Sequence, residues 1–525
     1  LLFGLMLASS GCGLLGDDGL SFHGNALPNA DTSLPGSEAP TGIAQTSFSQ
    51  PVSVASDSGP GASTNYQVQR QLADPVKGLE TPAIAAPSGV NLMKLPEALA
   101  LAGVENPVIQ LAEQAVQASL AMQMQARVLI LPNLNVGSDF NNHTGPLETS
   151  FGAIRSVDRQ SAYLGLGAWP VGAGTVSYPG VWLYASLGNA FYDPKVAGQV
   201  VAQRLFEATA TRNNVLLEVA ERYLQLAEAE GRLAVIRLTQ ADFAEIVRLT
   251  RAYVEAGQGR QADAERAETA ALVLENDECH AQEEVAVHAA ELSRLLNLDP
   301  TSRLQIVDPI IVVQFVEPSR TLQELLEVAM RSRPEMHALA AEITAAQLRV
   351  TQEKVRPFLP TLSVGYSEGG FGGGSNLTAP TFDNLHPRAD FDAMAWWTFQ
   401  NLGLGNAALV KRRKAELGEA ESRRGVVLNQ IKREVADAFN DSAARTREME
   451  TARRQVETAA SAFRLDLQRV RGFQGLPIEL LDSGDMLYQA RQDLLRAIIA
   501  FDEAQFRLFV ALGQPPTLAL VEGQE

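Results

Sequence analysis

No run of eighteen or more apolar residues occurs in the 525-residue chain, which excludes a membrane-spanning helix and leaves strands as the means of crossing a bilayer. Aromatic residues are also scarce, at 6% of the chain against 46% hydrophobic, so a large core has to be built mainly from aliphatic side chains and alanine. Cationic residues are outnumbered 43 to 61, and the formal net charge of −18 argues against a nucleic-acid partner, because phosphate binding needs a cationic surface. Two cysteines, Cys12 and Cys279, exclude a disulfide framework. Proline is missing between Pro194 and Pro300 and again between Pro387 and Pro477, so nothing in either stretch forbids a helix of unusual length. A helix from Lys195 to about Ala256 would be roughly 90 Å long.

What is present begins with residues 1–12, LLFGLMLASSGC, an apolar core with small-residue exit of the kind an export signal carries. Cys12 after Ser-Ser-Gly resembles a bacterial lipoprotein cleavage box, with lipid carried on Cys12. Residues 13–90 are rich in Ser, Pro, Gly, Ala and Asp without helical or alternating periodicity, and read as a disordered linker.

The rest is duplicated. An offset of 216 carries Gln258-Gly259 onto Gln474-Gly475, Asp263 onto Glu479, Tyr223 onto Phe439 and Pro300-Thr301 onto Pro516-Thr517. Further upstream the offset is 227, laying LPEALALAGVENPVIQLA from Leu95 on LQELLEVAMRSRPEMHALA from Leu322 and Pro107 on Pro334. Two structural repeats follow, 91–320 and 321–518, with 519–525 as a tail.

Each repeat switches from helix to strand at Leu131-Pro132-Asn133-Leu134 and Leu359-Pro360-Thr361-Leu362, where apolar residues start to recur at every second position. The strand regions, Asn133–Asp193 and Thr361–Leu404, hold all four tryptophans, Trp169, Trp182, Trp396 and Trp397. Aromatics favour strands generally; they also collect at the headgroup level of membrane strands, which makes these four candidate membrane-interface residues. Gly369–Gly374, GGFGGG, lacks the Lys-Ser/Thr of a phosphate cradle and is expected to be a flexible loop. Two strands per repeat give four per chain, too few to close a barrel, so oligomerisation is required for any crossing.

After each strand region comes a long helical hairpin. In the last helix Leu487, Ala490, Leu494, Ala497, Phe501, Ala504, Leu508 and Ala511 keep three-four spacing, a coiled-coil seam in which alanines permit close approach. The tips fall at Gly257, Gln258 and Gly259, and at Gly475, Leu476 and Pro477. His280, Glu284 and His288 share a helical face, but His288 takes the repeat position of Ala504, so a metal site is not assigned.

Taken in order, the Leu-x-Glu-x-Leu and Arg-Pro-Glu entry, the Leu-Pro strand start and the Glu-Leu-Leu-Asp…Leu-Tyr-Gln-Ala-Arg-Gln-Asp-Leu tip resemble the TolC-type outer-membrane efflux family over roughly residues 91–518. The resemblance implies a mainly α fold with a β-barrel part: a homotrimer with a twelve-strand barrel in outer-membrane lipid and a periplasmic helical tunnel. Its tip meets a periplasmic adaptor and an inner-membrane pump of an efflux or type I secretion system, and no bond is made or broken. The resemblance further places Asp482, Glu479 and Asp263 near the periplasmic gate, while Gly475 stands where some members carry a latch arginine, leaving Arg469 or Arg471 for that role. The alternative is a periplasmic coiled-coil adaptor without a barrel, for which two tryptophan-bearing strand regions at matching repeat positions would have no purpose.

If Cys12 is acylated, Cys12→Ser abolishes metabolic lipid labelling while the strands still insert; unchanged labelling ends the lipoprotein reading.

Overall fold

The structure, a computed structural model, describes residues 90–149, 151–170, 176–299, 303–307, 312–377, 382 and 384–517. Cys12, the leader, the linker and the tail lie outside the described residues. Strand β1 (Val90–Met93) leads into helices α1 (Leu95–Glu105) and α2 (Pro107–Val128). Strands β2 (Asn133–Leu134), β3 (Val136–Glu148), β4 (Ile154–Pro170), β5 (Val176–Pro179) and β6 (Val181–Ser186) come next, then helices α3 (Leu187–Glu255) and α4 (Gln261–Leu295). After β7 (Arg303–Ile306) the second repeat runs α5 (Leu322–Ser332), α6 (Pro334–Val355), β8 (Thr361–Ser375), β9 (His386–Trp396), α7 (Leu404–Arg471) and α8 (Pro477–Ala511).

The duplication is visible bond by bond. Pro107 and Pro334 both open a helix, where a fixed φ is favourable and the missing N–H is not needed. The residue before each proline reaches the end of its own repeat: Asn106 Nδ2 donates to the Leu295 carbonyl at 2.8 Å, and Arg333 Nη1 donates to the Ala511 carbonyl at 3.3 Å. Both acceptors are carbonyls in the last turn of a long helix, which lack intrahelical donors. Each repeat is thereby closed on itself, short helix to hairpin end.

Helix α3 has 69 residues and, at 1.5 Å per residue, is roughly 100 Å long. It starts at Leu187 rather than at Lys195, with Pro194 inside it. The start is set by the sheet, because the Leu187 N–H donates to the Pro360 carbonyl at 3.2 Å, so the strand ladder hands over directly to the helix. The corresponding exit into α7 is a left-handed turn at Asn401, Leu402 and Gly403, with φ of 49, 59 and 90°. Asparagine and glycine tolerate that conformation; Leu402 is strained there.

All eight seam residues of α8 are buried, none more than 7% exposed. Leu508 and Ala511 pack with Leu216, Val219, Ala220 and Tyr223 of α3 and with Ile431 and Val435 of α7 in one core cluster; Leu494, Ala497 and Phe501 belong to a second and Leu487 to a third. The segment between repeats is held against this bundle by polar bonds. Val313 N–H donates to Asp502 Oδ1 at 2.8 Å and Phe315 N–H to Gln505 Oε1 at 3.2 Å, while β1 and β7 form a two-stranded parallel sheet. Burial pushes the Asp502 carboxyl well above the usual carboxylate range.

The main sheet contains four wall strands, two of them composite. β6 pairs with β8 from Ser186 opposite Thr361 to Val181 opposite Tyr366, and β4 resumes the same ladder from Leu166 opposite Glu368 to Arg159 opposite Ser375. Thus β4 and β6 are one strand interrupted after Leu166, and β2 with β3 lines its other side. The wall order is β2/β3, β6/β4, β8, β9. The interruption is a small hairpin in which β5 folds back on the end of β4, Gly167 opposite Pro179 and Ala168 opposite Tyr178. The expected loop Gly369–Gly374 is instead part of the second half of β8. Its glycines serve close packing: a Cβ on Gly369 would lie 2.6 Å from the Leu164 carbonyl oxygen and 2.8 Å from the Tyr163 ring, and one on Gly373 2.5 Å from the Gln160 oxygen.

Glu230 on α3 accepts the Ile306 N–H at 3.2 Å, tying β7 to the bundle. Burial raises its carboxyl from 4.5 to about 7, against the lowering effect of that hydrogen bond. Below about pH 4.5 both folded and unfolded chains are neutral at this group. As pH rises toward 7 the unfolded chain ionises first, so stability is lost across that window and stays lost above it. Glu230→Gln keeps the acceptor and removes the charge. Its chemical-denaturation midpoint should match wild type at pH 4 and exceed it at pH 8, by an amount worth about 1–2 kcal/mol.

Candidate functional site

The wall is two-faced. On one side of the central strands lie Leu362, Val364 and Tyr366, opposite Ala185, Leu183 and Val181 on one neighbour and Ala395, Ala393 and Phe391 on the other. Leu134, Val136, Phe140 and Leu164 continue this face and, with Phe391, are 60 to 73% exposed. The opposite side carries Asp392, Asp390 and Arg388 across from Gly365, Ser367 and Gly369, with Arg159 across from Ser375. Arg388 bonds Asp390 at 2.8 Å and lies over the Phe371 ring at 5.1 Å. An apolar exposed face backed by a charged one is what a strand wall between hydrocarbon and a watery bore requires.

The tryptophans divide. Trp182 and Trp396 occupy the charged face, since residues two apart on a strand share a side. Trp182 Nε1 donates to Ser363 Oγ at 3.1 Å, and Tyr184 links the two indoles with ring centroids 5.8 and 5.9 Å away. Trp397, just past β9, is 53% exposed and donates to the Phe358 carbonyl at 3.3 Å. Trp169 lies in β4, and its side chain is outside the described residues.

At the other end, the two turns are built alike. Gln258 N–H donates to the Tyr253 carbonyl at 2.9 Å and Gln474 N–H to the Arg469 carbonyl at 2.9 Å, the same bond one repeat apart. The left-handed residue between them is Gly257 in one copy and Phe473 in the other, with φ of 74 and 56°. Phe473 is held in that uncommon conformation by stacking on Tyr253, centroids 5.2 Å apart, whose hydroxyl donates to the Val470 carbonyl at 2.7 Å. One tip thus leans on the other.

More ties cross between the hairpins. Arg491 pairs with Asp242 at 2.9 Å, Tyr488 donates to Asp277 at 3.2 Å, and Arg471 pairs with Glu245 at 3.1 Å. The hydrogen bond from Arg248 is the main cause holding Glu245 down to about 2, with Arg471 adding, so this pair persists through the acid range. Of the residues expected at a gate, Asp263 lies in the first turn of α4 and pairs with Arg266 at 3.3 Å, and Glu479 lies 3.7 Å from Arg469. Asp482 and Asp485 are exposed one turn apart; burial, then the Asp482 charge, raises the Asp485 carboxyl. Gly475 is half-buried, Leu476 exposed and Pro477 buried. The face shared by His280, Glu284 and His288 is divided among partners: Glu284 is held by Arg232 at 2.9 Å, and His288 lies 3.5 Å from Glu291.

Residues 325–514 match the family described as Outer membrane efflux protein. Over these residues, the second repeat, the chain carries the pattern of that family. No curated protein matches it in sequence. Among solved structures, the chain is similar to a membrane protein from Pseudomonas aeruginosa, at 20% identity and a TM-score of 0.65, covering 80% of this chain and 90% of that one. It is similar to VceC from Vibrio cholerae at 16% identity and a TM-score of 0.61, covering 80% and 96%, and to the MtrE channel of Neisseria gonorrhoeae in its open state at 18% and 0.61, covering 80% and 89%. At these identities the likeness establishes the fold. The family description and the shared fold agree on an outer-membrane channel with a periplasmic extension, a conduit rather than an enzyme.

Sequence reasoning missed the ties across the tip and the interruption of the second wall strand. The ties leave no local signature, since Asp242 and Arg491 are 249 positions apart. The interruption did leave one: the repeat offset drops from 227 to 216 across the strand region, so the first copy holds the longer text there.

The tip ties differ in burial, which ranks them. The Arg491 and Asp242 side chains are 19 and 28% exposed, against 56 and 25% for Arg471 and Glu245. Arg491→Ala should cost about 1 kcal/mol or more of local stability and Arg471→Ala less than about 0.5 kcal/mol, read as faster amide hydrogen exchange at Gly257–Gly259 and Gly472–Gly475 with unchanged exchange near the strands.

Proposed function

We propose that three copies of this efflux channel close a twelve-strand barrel in the outer membrane, continued by a helical tunnel whose tip receives substrate from a periplasmic adaptor and an inner-membrane pump. The observation that carries this reading is the sheet itself. Among the described residues β3 pairs only with β4 and β9 only with β8, so a wall with one apolar exposed face ends in two open edges. Open edges are not tolerated in hydrocarbon, and edge-to-edge pairing with further copies removes them. Conduction is passive and serves a tripartite efflux or type I secretion system. Cys12 supplies a lipid anchor, and Trp397 marks the periplasmic boundary of the membrane.

The docking surface is the pair of tips, Gly257–Gly259 and Gly475–Pro477. There Phe473 and Leu476, 65 and 58% exposed, offer apolar area on rigid helices. Around the threefold axis Asp482 is repeated, with Glu479 one turn away and Asp263 on the neighbouring hairpin. Carboxylates within about 8 Å of each other repel at physiological salt, so this ring favours cations in the bore.

Asp482→Ala combined with Glu479→Ala should lower cation selectivity in planar bilayers and weaken block by trivalent cations, with the trimer intact. Selectivity and block equal to wild type would move the constriction to another level of the tunnel.

A further inference from the structure

The hairpin that interrupts the second wall strand is not required by the wall. Leu166 stands opposite Glu368 and Val181 opposite Tyr366, so a single residue opposite Ser367 would make the strand continuous. The chain instead leaves the ladder at Gly167, runs out and back as the end of β4 and β5, and returns at Gly180. Asn135 of the first wall strand seals the gap on one side: its N–H donates to the Gly180 carbonyl at 2.6 Å, its carbonyl accepts the Gly167 N–H at 2.9 Å, and its Nδ2 donates to the Pro179 carbonyl at 2.7 Å. The wall is therefore unbroken although the strand is not.

Four contacts fix the side on which the hairpin lies. A Cβ on Gly365 would be 2.7 Å from Pro179, a Cβ on Gly137 would be 2.9 Å from Ala168, a Cβ on Gly167 would be 3.1 Å from Ser367 Oγ, and the Gly180 N–H donates to Ser367 Oγ at 3.2 Å. Gly365 and Ser367 face across to Asp392 and Asp390, and Gly137 pairs with Gly165, which is opposite Gly369. All of these belong to the charged face; Ser363 and Ser367 are buried there, whereas the apolar face opposite them stays open. The glycines are the accommodation: at Gly365 and Gly137 a side chain would collide with the hairpin.

We infer that in the closed barrel these hairpins, one per chain, stand inside the bore and form a fixed constriction at membrane level, separate from the tip aperture. This rests on the trimeric channel reading. A twelve-strand barrel with strands 4.8 Å apart and tilted about 40° has a wall radius of about 12 Å. The described arms pair over Gly167–Pro170 and Val176–Pro179, four residues each and about 10 Å of strand, more than any single lumen side chain reaches. Three such arms take up a large share of the cross-section. Tyr178, exposed on the returning arm opposite Ala168, is then a lining residue of the constriction.

The test is a deletion that keeps register. Removing Ala168 to Gly180 leaves Leu166-Gly167-Val181, with Gly167 opposite Ser367 and every flanking pair unchanged. Single-channel conductance in planar bilayers should rise about twofold or more, as a wider bore demands. A second variant does not depend on the deletion folding. Tyr178→Cys in a Cys279→Ser background should lose conductance on adding a bulky charged methanethiosulfonate reagent, relative to the background alone. Unchanged conductance in an assembled deletion trimer, or a Tyr178→Cys channel indifferent to the reagent, overturns the constriction while leaving the channel reading in place. Absence of any unitary conductance from the parent chain overturns both.

Discussion

A strand wall in hydrocarbon has nowhere to leave a backbone N–H or carbonyl unpaired, and most of this structure follows from that. Each chain supplies four wall strands with an apolar exposed face and, among the described residues, two open edges, which in the proposed trimer are closed by neighbouring copies. The requirement also explains why the interruption of the second strand is sealed so thoroughly by Asn135, whose backbone and side chain together serve three groups at Gly167, Pro179 and Gly180. A hairpin can leave the wall only where another residue takes over its hydrogen bonds.

Away from the membrane the constraint changes from hydrogen bonding to close approach. Helices near 100 Å long can stay parallel only if their contact stripe is narrow and even, and the alternation of large residues with alanine along α8 provides that. The stripe alone would allow the two hairpins to slide on each other. Polar contacts at both ends of the shorter helices set the register: the Asn106 and Arg333 bonds to carbonyls of the last turns of α4 and α8, which lie partway along α3 and α7, and Arg491–Asp242, Tyr488–Asp277 and Tyr253–Val470 at the tip. The strain at Phe473 fits the same picture, because its stacking on Tyr253 joins the tip of one repeat to that of the other.

Duplication makes the departures from symmetry informative. At the tip the repeats differ by one left-handed residue, Gly257 against Phe473, and the turn survives. In the wall they differ by an inserted hairpin, and the glycines facing it, Gly137 and Gly365, lie on different strands and in different repeats. The run Gly369–Gly374 shows how composition misleads. Six residues that read as a loop are a strand, and at Gly369 and Gly373 the neighbouring backbone comes too close for a side chain.

The sequence by itself determined the repeat, the helix-to-strand switch at Leu-Pro, the alanine seam and the tips. Each is written in local periodicity or in text that recurs at a fixed offset, and the physical cause acts over a few neighbouring residues. It also recorded that the first copy was longer in the strand region, as a change in offset, without saying where the extra chain goes. Only the tertiary structure decided the start of α3 at Leu187, since that depends on a bond from Pro360, 173 positions away in the chain. It alone paired Arg491 with Asp242 and turned Trp182 and Trp396 to the charged face. Those facts arise from which strands become neighbours, and strand pairing across hundreds of residues leaves no periodicity to read.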